Sequence, residues 1–255
     1  RLRIPVGSFS EIDLGYVAGE DFAHGESAFF TRWKGYAAGT DFSLLAMDFR
    51  ENLLVGVDAT RALGGAGVWF EAAYVLPGTF SSLSPGSSEE ADSLGFLSPE
   101  PEEQYVTLSA GADYNFGPKL YGYAEYHYNG PGKSSADEYD ELISSIRTTP
   151  EEEVAYSEGS VSLYGKHYAG IGATYKLSPL LPVSSLLLVN LGDLSSYFSL
   201  SAEYNFTENV YIEGGAYLGL GENPQASASS PIGYTYDTEF GAYPDMYYLS
   251  MKIYF

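Results

Sequence analysis

The side chains able to do acid–base or nucleophilic chemistry are few and scattered. Of the three histidines, His24 falls in a polar stretch, while His127 and His167 fall near the ends of alternating runs. Nucleophilic catalysis needs a base within hydrogen-bond reach of the nucleophile. No G-x-S-x-G elbow is present to supply such a nucleophile. Neither H-E-x-x-H nor an EF-hand pattern occurs, so no metal motif is legible. Asp137, Glu138, Asp140 and Glu141 concentrate charge, but they lack the glycine-hinged spacing of a calcium loop. The absence of cysteine excludes disulfides, thiolate metal sites and haem attachment through C-x-x-C-H. This inventory predicts a protein that is not an enzyme and holds no cofactor or metal.

Most remaining ionisable residues recur at every second position of alternating segments. In YFSLSAEYNF, Phe198, Leu200, Ala202, Tyr204 and Phe206 share one side; Ser199, Ser201, Glu203 and Asn205 share the other. Val210, Ile212, Ala216, Leu218 and Leu220 alternate in the same way with Tyr211, Glu213, Gly215 and Tyr217. Period two is the signature of a strand with one apolar and one polar face. Carried through the chain, the polar faces collect Arg1, Arg3, Glu11, Asp13, Arg32, Lys34, Asp48, Asp58, Glu71, Asp113, Glu125, Lys176, Glu203, Glu213 and Lys252, with Tyr121 and Tyr123 beside them. So many charges cannot sit dry and unpaired, because an isolated buried charge costs several kcal/mol. Either they pair across strands or water reaches them.

The segments follow one another with turn signals between them. Runs over Leu2–Val6 and Ile12–Ala18 are separated by Gly7-Ser8-Phe9, and a loop at 19–26 precedes the run around Trp33. Ser43, Leu45, Met47 and Phe49 alternate with Leu44, Ala46 and Asp48; Leu53–Ala59 and Val68–Leu76 flank Gly64-Gly65. Val106–Phe116 and Leu120–Tyr128 flank Gly117-Pro118, and a run over about Leu163–Leu177 turns at Ser178-Pro179 into Pro182–Leu191. Both registers of that last run are apolar, so its facing stays open. Thirteen strands result; the alternative is a complete twelve-stranded barrel, if the hairpin over Arg1–Ala18 is split once too often. Three Ser-, Gly-, Pro- or acid-rich stretches, 77–103, 130–160 and 221–244, read as long loops; a short helix over Leu142–Arg147 fits within the second. All three long loops fall on one end of the strands and the short turns on the other, the asymmetry of transmembrane barrels. Fold class is therefore predicted as a single all-β domain over 1–255, an antiparallel transmembrane β-barrel.

The final run, with Tyr247, Leu249, Met251, Ile253 and Phe255 at alternate positions, resembles the C-terminal assembly signal of Gram-negative outer-membrane barrels. The tracts LLVGVDATRALGGAGVWFEAAY and SLSAEYNFTENVYIEGGAYLGLG are similar in pattern to the C-terminal portion of a porin-like family. That resemblance implies an outer-membrane location, recognition by the barrel-assembly machinery, and a pore or scaffold role. Single-chain bacterial barrels carry even strand numbers, and an open edge is not tolerated in lipid. Strands are accordingly expected to be missing before Arg1, in a complete barrel of about 14–18. For an exported chain, the lack of a signal peptide implies processing or truncation.

Composition agrees with this reading. No run of 18 apolar residues exists, so a helical span is excluded. Tyrosine, at 24 of 255 residues, suits bilayer interfaces, where one end of the ring is apolar and the other wet. A net charge of −22 argues against nucleic acid as a partner, and suits cations bridging lipid headgroups or a basic protein. The expected function is passive diffusion of small polar solutes or ions, mildly favouring cations, with loops 77–103 and 130–160 narrowing the mouth. The alternative is a sheath around a lumen-bound or periplasmic protein, such as a multihaem cytochrome in an electron conduit.

Overall fold

The computed structural model describes residues 1–19, 22, 24, 27–49, 52–79, 104–135, 138, 163–228, 230 and 233–254. Their main feature is one antiparallel sheet of thirteen strands in which each strand pairs with its neighbour in sequence. The strands are β1 (Leu2–Pro5), β2 (Glu11–Val17), β3 (Ala28–Ala37), β4 (Thr40–Phe49), β5 (Asn52–Leu63), β6 (Ala66–Leu76), β7 (Tyr105–Asn115), β8 (Leu120–Asn129), β9 (His167–Ser178), β10 (Leu181–Asn190), β11 (Ser196–Thr207) and β12 (Val210–Leu220). A two-residue ribbon of β13 (Gln225–Ala226) and β14 (Tyr234–Thr235) and one 3-10 turn at Phe240–Ala242 follow, before β15 (Met246–Ile253) closes the order. β1 and β2 are separate strands, Leu2 opposite Leu14 and Pro5 opposite Glu11, so the count is thirteen and the twelve-strand alternative falls. β1 and β15 are the sheet's two edges and do not pair with one another among the described residues.

Turn chemistry explains the regular meander. Ala38 and Gly39 have φ of 51° and 78°, and Gly64 and Gly65 have 58° and 92°. Two successive left-handed residues make the tight turn whose twist matches that of the flanking strands. The β9 strand begins at His167, later than the alternation suggests, because Gly165 is engaged in an isolated parallel bridge with Lys133. The expected helix over Leu142–Arg147 lies outside the described residues, as does nearly all of loops 77–103 and 130–160.

The sheet has no conventional core. The only buried hydrophobic side chains among the described residues are Val75, Tyr168, Tyr236 and Phe240. The apolar rows are bare instead, with Leu249 80% exposed, Met251 64% and Ile171 60%. Among the described residues each strand packs on its sequence neighbours, and no helix or second sheet covers that face.

Candidate functional site

Register decides which side chains share a face. One continuous row crosses the sheet through Glu11, Lys34, Ser43, Asp58, Glu71, Ser109, His127, Tyr168 and Asn190, each directly opposite the next. By the same alternation, Arg32, Asp113, Tyr121, Tyr123, Glu125, Lys176, Glu203, Glu213 and Lys252 lie on that face. Asp48 does not. It stands opposite Phe29, in the row of Leu44 and Ala46 on the apolar face, near the end of β4. There it meets His24 Nε2 at 3.2 Å. The sequence of β4 is apolar in both registers, so charge alone pointed Asp48 to the wrong side. The structure also orients β10, with Ser184, Leu186, Leu188 and Asn190 on the polar face and Val183, Leu187 and Val189 on the other.

The polar face divides into three electrostatic sectors. On β1–β3, Arg1 Nε donates to Asp13 Oδ1 at 2.9 Å, Arg3 approaches Asp13 at 3.9 Å, and Lys34 pairs with Glu11 at 3.1 Å. With Arg32, bases outnumber acids there. On β4–β8 the face carries Asp41, Asp58, Glu71, Asp113 and Glu125 but no lysine or arginine. Three of these carboxylates take hydrogen bonds from neutral donors. Ser43 Oγ donates to Asp58, Trp69 Nε1 donates to Glu125 at 3.0 Å, and the Gly67 amide donates to Asp113 at 3.3 Å. On β11–β15, Lys252 Nζ lies 2.5 Å from Glu213 and 3.2 Å from Glu203, which face each other across the strands. Beside them, Tyr197, Tyr217 and Tyr248 stack in file, with centroids 6.1 and 5.7 Å apart, and Tyr248 donates to Glu213 at 2.9 Å. An open cavity of about 440 Å³ lies at the short-turn end of the acidic sector, where Tyr36, Asp41, Thr60, Trp69 and Asp113 line it.

Ser109 Oγ and His127 Nδ1 lie 2.8 Å apart. Their row runs Glu71, Ser109, His127, so the acid neighbours the serine rather than the imidazole. A hydrolytic triad needs the acid on the far nitrogen of the base, and this order does not supply it. His167 lies on the apolar face, 2.7 Å from the Tyr126 hydroxyl.

No family model matches the chain, and no curated protein matches it. Among solved structures it is similar to a triple mutant of the Rhodopseudomonas blastica porin, at 10% identity and a TM-score of 0.49, covering 84% of this chain and 69% of that one. It is also similar to the NanC porin, at 11% identity and a TM-score of 0.34, covering 97% of this chain and 100% of that one. Both neighbours are porins.

Sequence reasoning missed the segment between β14 and β15, which folds onto the polar face. Glu239 is fully buried there. Its Oε1 accepts from the Tyr164 amide at 2.9 Å, and its Oε2 accepts from Tyr168 Oη at 2.6 Å and Asn190 Nδ2 at 2.8 Å. The Glu239 amide donates to Asp193 Oδ2 at 2.6 Å, and the Phe240 amide donates to Ser195 Oγ at 3.1 Å. The Phe240 ring, 1% exposed, packs against Tyr168, Tyr197 and Tyr243. A Cβ at Gly219 would lie 2.3 Å from the Phe240 carbonyl oxygen, so only glycine admits this approach. Burial pushes the Glu239 carboxyl above the ordinary carboxylate range; hydrogen bonds from Tyr168, Tyr164 and Asn190 oppose the rise and Asp193 adds to it. No local sequence signal marks Glu239, since its partners come from distant strands.

The proposed assembly row is on the apolar face. Tyr247, Leu249, Met251 and Ile253 project there from β15; Phe255 lies outside the described residues.

Proposed function

We propose that this chain forms the wall of a Gram-negative outer-membrane β-barrel that passes small polar solutes and ions by diffusion. The observation that carries the reading is the division of the sheet into two faces. Leu249, Ile171 and their rows lie bare on one face, and almost every charge of the strands lies on the other. Water penalises exposed apolar surface by about 25 cal/mol per Å², so a bare face of this extent fits hydrocarbon. A sheet can cross hydrocarbon only if its backbone groups pair without an edge. We therefore propose closure between β15 and β1 through further strands, in a barrel of about 14–18. The 10-to-12-residue length of β3 to β12 suits a tilted span of the apolar band. The row ending in Ile253 and Phe255 would be the part offered to the assembly machinery.

The twelve candidate residues on the polar face would then line the lumen. The acidic sector on β4–β8 supports a mild cation preference, because rings and rows of like charge set ionic selectivity. Planar-bilayer conductance of the refolded full-length protein tests the reading, with reversal potentials in a salt gradient giving the sign. A closed, non-conducting barrel that co-purifies with a haem-staining protein would overturn it in favour of a sheath.

A further inference from the structure

We infer that the polar face of β4–β8 carries a binding site for organic cations, at the open cavity beside Trp69. The inference rests on the pore reading only in taking this face as the one that meets water. One register row builds the site through Tyr36, Asp41, Thr60, Trp69, Gly111 and Glu125, each directly opposite the next. Asp113, diagonal to Trp69, completes it from the neighbouring row.

Two glycines shape the site. Trp69 of β6 stands opposite Gly111, and Asp113 of β7 stands opposite Gly67. A Cβ at Gly111 would lie 2.3 Å from the Trp69 ring, and one at Gly67 would lie 2.9 Å from Asp113 Oδ1. Each large side chain therefore lies across the neighbouring strand where only glycine leaves room. The indole reaches over β7 to donate to Glu125 on β8 at 3.0 Å. A ring held at both ends in this way lies along the sheet, one face on Gly111 and the other toward the cavity. Tyr36, 49% exposed, lines the cavity from β3.

Charge selects what binds there. Asp41, Asp113 and Glu125 form no ion pair among the described residues. Arg61 also borders the cavity, but register places it on the apolar face, opposite Thr40 and Val68. The site thus offers an aromatic face beside uncompensated carboxylates, the pairing that attracts an ammonium with an apolar coat. A bare divalent ion finds no cage. Asp41 stands three strands from Asp113, about 14 Å along the wall, and no three acidic or histidine groups among the described residues converge as metal ligands. A neutral sugar can stack on the ring but gains nothing from the charge.

The test compares choline with its uncharged isostere, which has a tert-butyl group in place of trimethylammonium. Both are titrated into the refolded full-length protein in nonionic detergent at fixed ionic strength. The chain has two tryptophans, and Trp33→Phe on the apolar face leaves Trp69 as the sole reporter. Choline should quench Trp69 fluorescence saturably, at about one-tenth the concentration the isostere needs. Asp113→Asn and Glu125→Gln keep the acceptors for the Gly67 amide and the indole while removing charge. Each should weaken choline several-fold and leave the isostere unchanged. In Trp69→Leu, broadening of the choline methyl proton signal by the protein should be lost. Equal responses to choline and its isostere overturn the inference. So does an equal response to potassium replacing sodium, a stronger one to glucose, choline binding unchanged in both carboxamide variants, or broadening retained in Trp69→Leu. Binding without current would sink the pore reading alone; current without binding would sink this inference alone.

Discussion

Tyr168 Oη donates to Glu239 Oε2 at 2.6 Å between residues 71 positions apart in the sequence. Tyr168 itself is fully buried, in a sheet where few large side chains are. The bond thus ties the start of β9 to the segment before β15 at one end of the sheet. A hydrogen bond to a buried carboxyl has weight because removing its donor leaves the acceptor without compensation for its lost water.

Tyr168→Phe removes that donor and leaves the ring contact with Phe240. The expected cost is about 1–3 kcal/mol of seating. Limited proteolysis between β14 and β15 should become faster, while the other loops are cut at unchanged rates.

Ile171→Arg and Thr60→Arg put the same charge on opposite faces. Ile171 lies mid-strand on the apolar face and Thr60 is exposed on the polar one. In lipid vesicles Ile171→Arg should cost about 2–4 kcal/mol of folding stability, and Thr60→Arg no more than about 0.5 kcal/mol. Urea titration of the vesicle-folded protein measures both. Equal costs would contradict a lipid-facing apolar row.

Lys252→Gln leaves Glu203 and Glu213 directly opposed without the ammonium between them. Removing one positive charge from the polar face should shift the reversal potential in a salt gradient toward stronger cation preference. Lys252→Arg should preserve the parent value.

Gly111→Val adds a side chain where a Cβ would lie 2.3 Å from the Trp69 ring and 2.8 Å from the Ala124 carbonyl oxygen. The ring can swing away only by giving up its bond to Glu125, and the backbone oxygen cannot yield. Overpacking of this kind costs about 1–3 kcal/mol. Refolding yield should fall, and tryptophan fluorescence should move to longer wavelength as Trp69 enters water.

Much of the architecture was legible because strand side chains alternate strictly. The period-two rows, with the turn signals between them, located every strand of the large sheet, and the rows gave twelve of the thirteen candidate lining residues the face they occupy. Asp48 failed because β4 alternates between two apolar sets, so only pairing to Phe29 and Leu53 reveals its side. For β10 the reason was the same, since Leu186 and Leu187 are equally apolar and point oppositely.

The order of strands, the end that carries the long loops and the two-faced chemistry of the sheet were thus determined by sequence alone, since each depends on neighbours one or two positions apart. Tertiary structure alone decided the rest: the sorting of charges into a basic, an acidic and a paired sector, and the burial of Glu239 beneath Tyr168 and Asn190. Those properties arise between strands far apart in the chain, where register and chain return, rather than local alternation, bring the groups within hydrogen-bond reach.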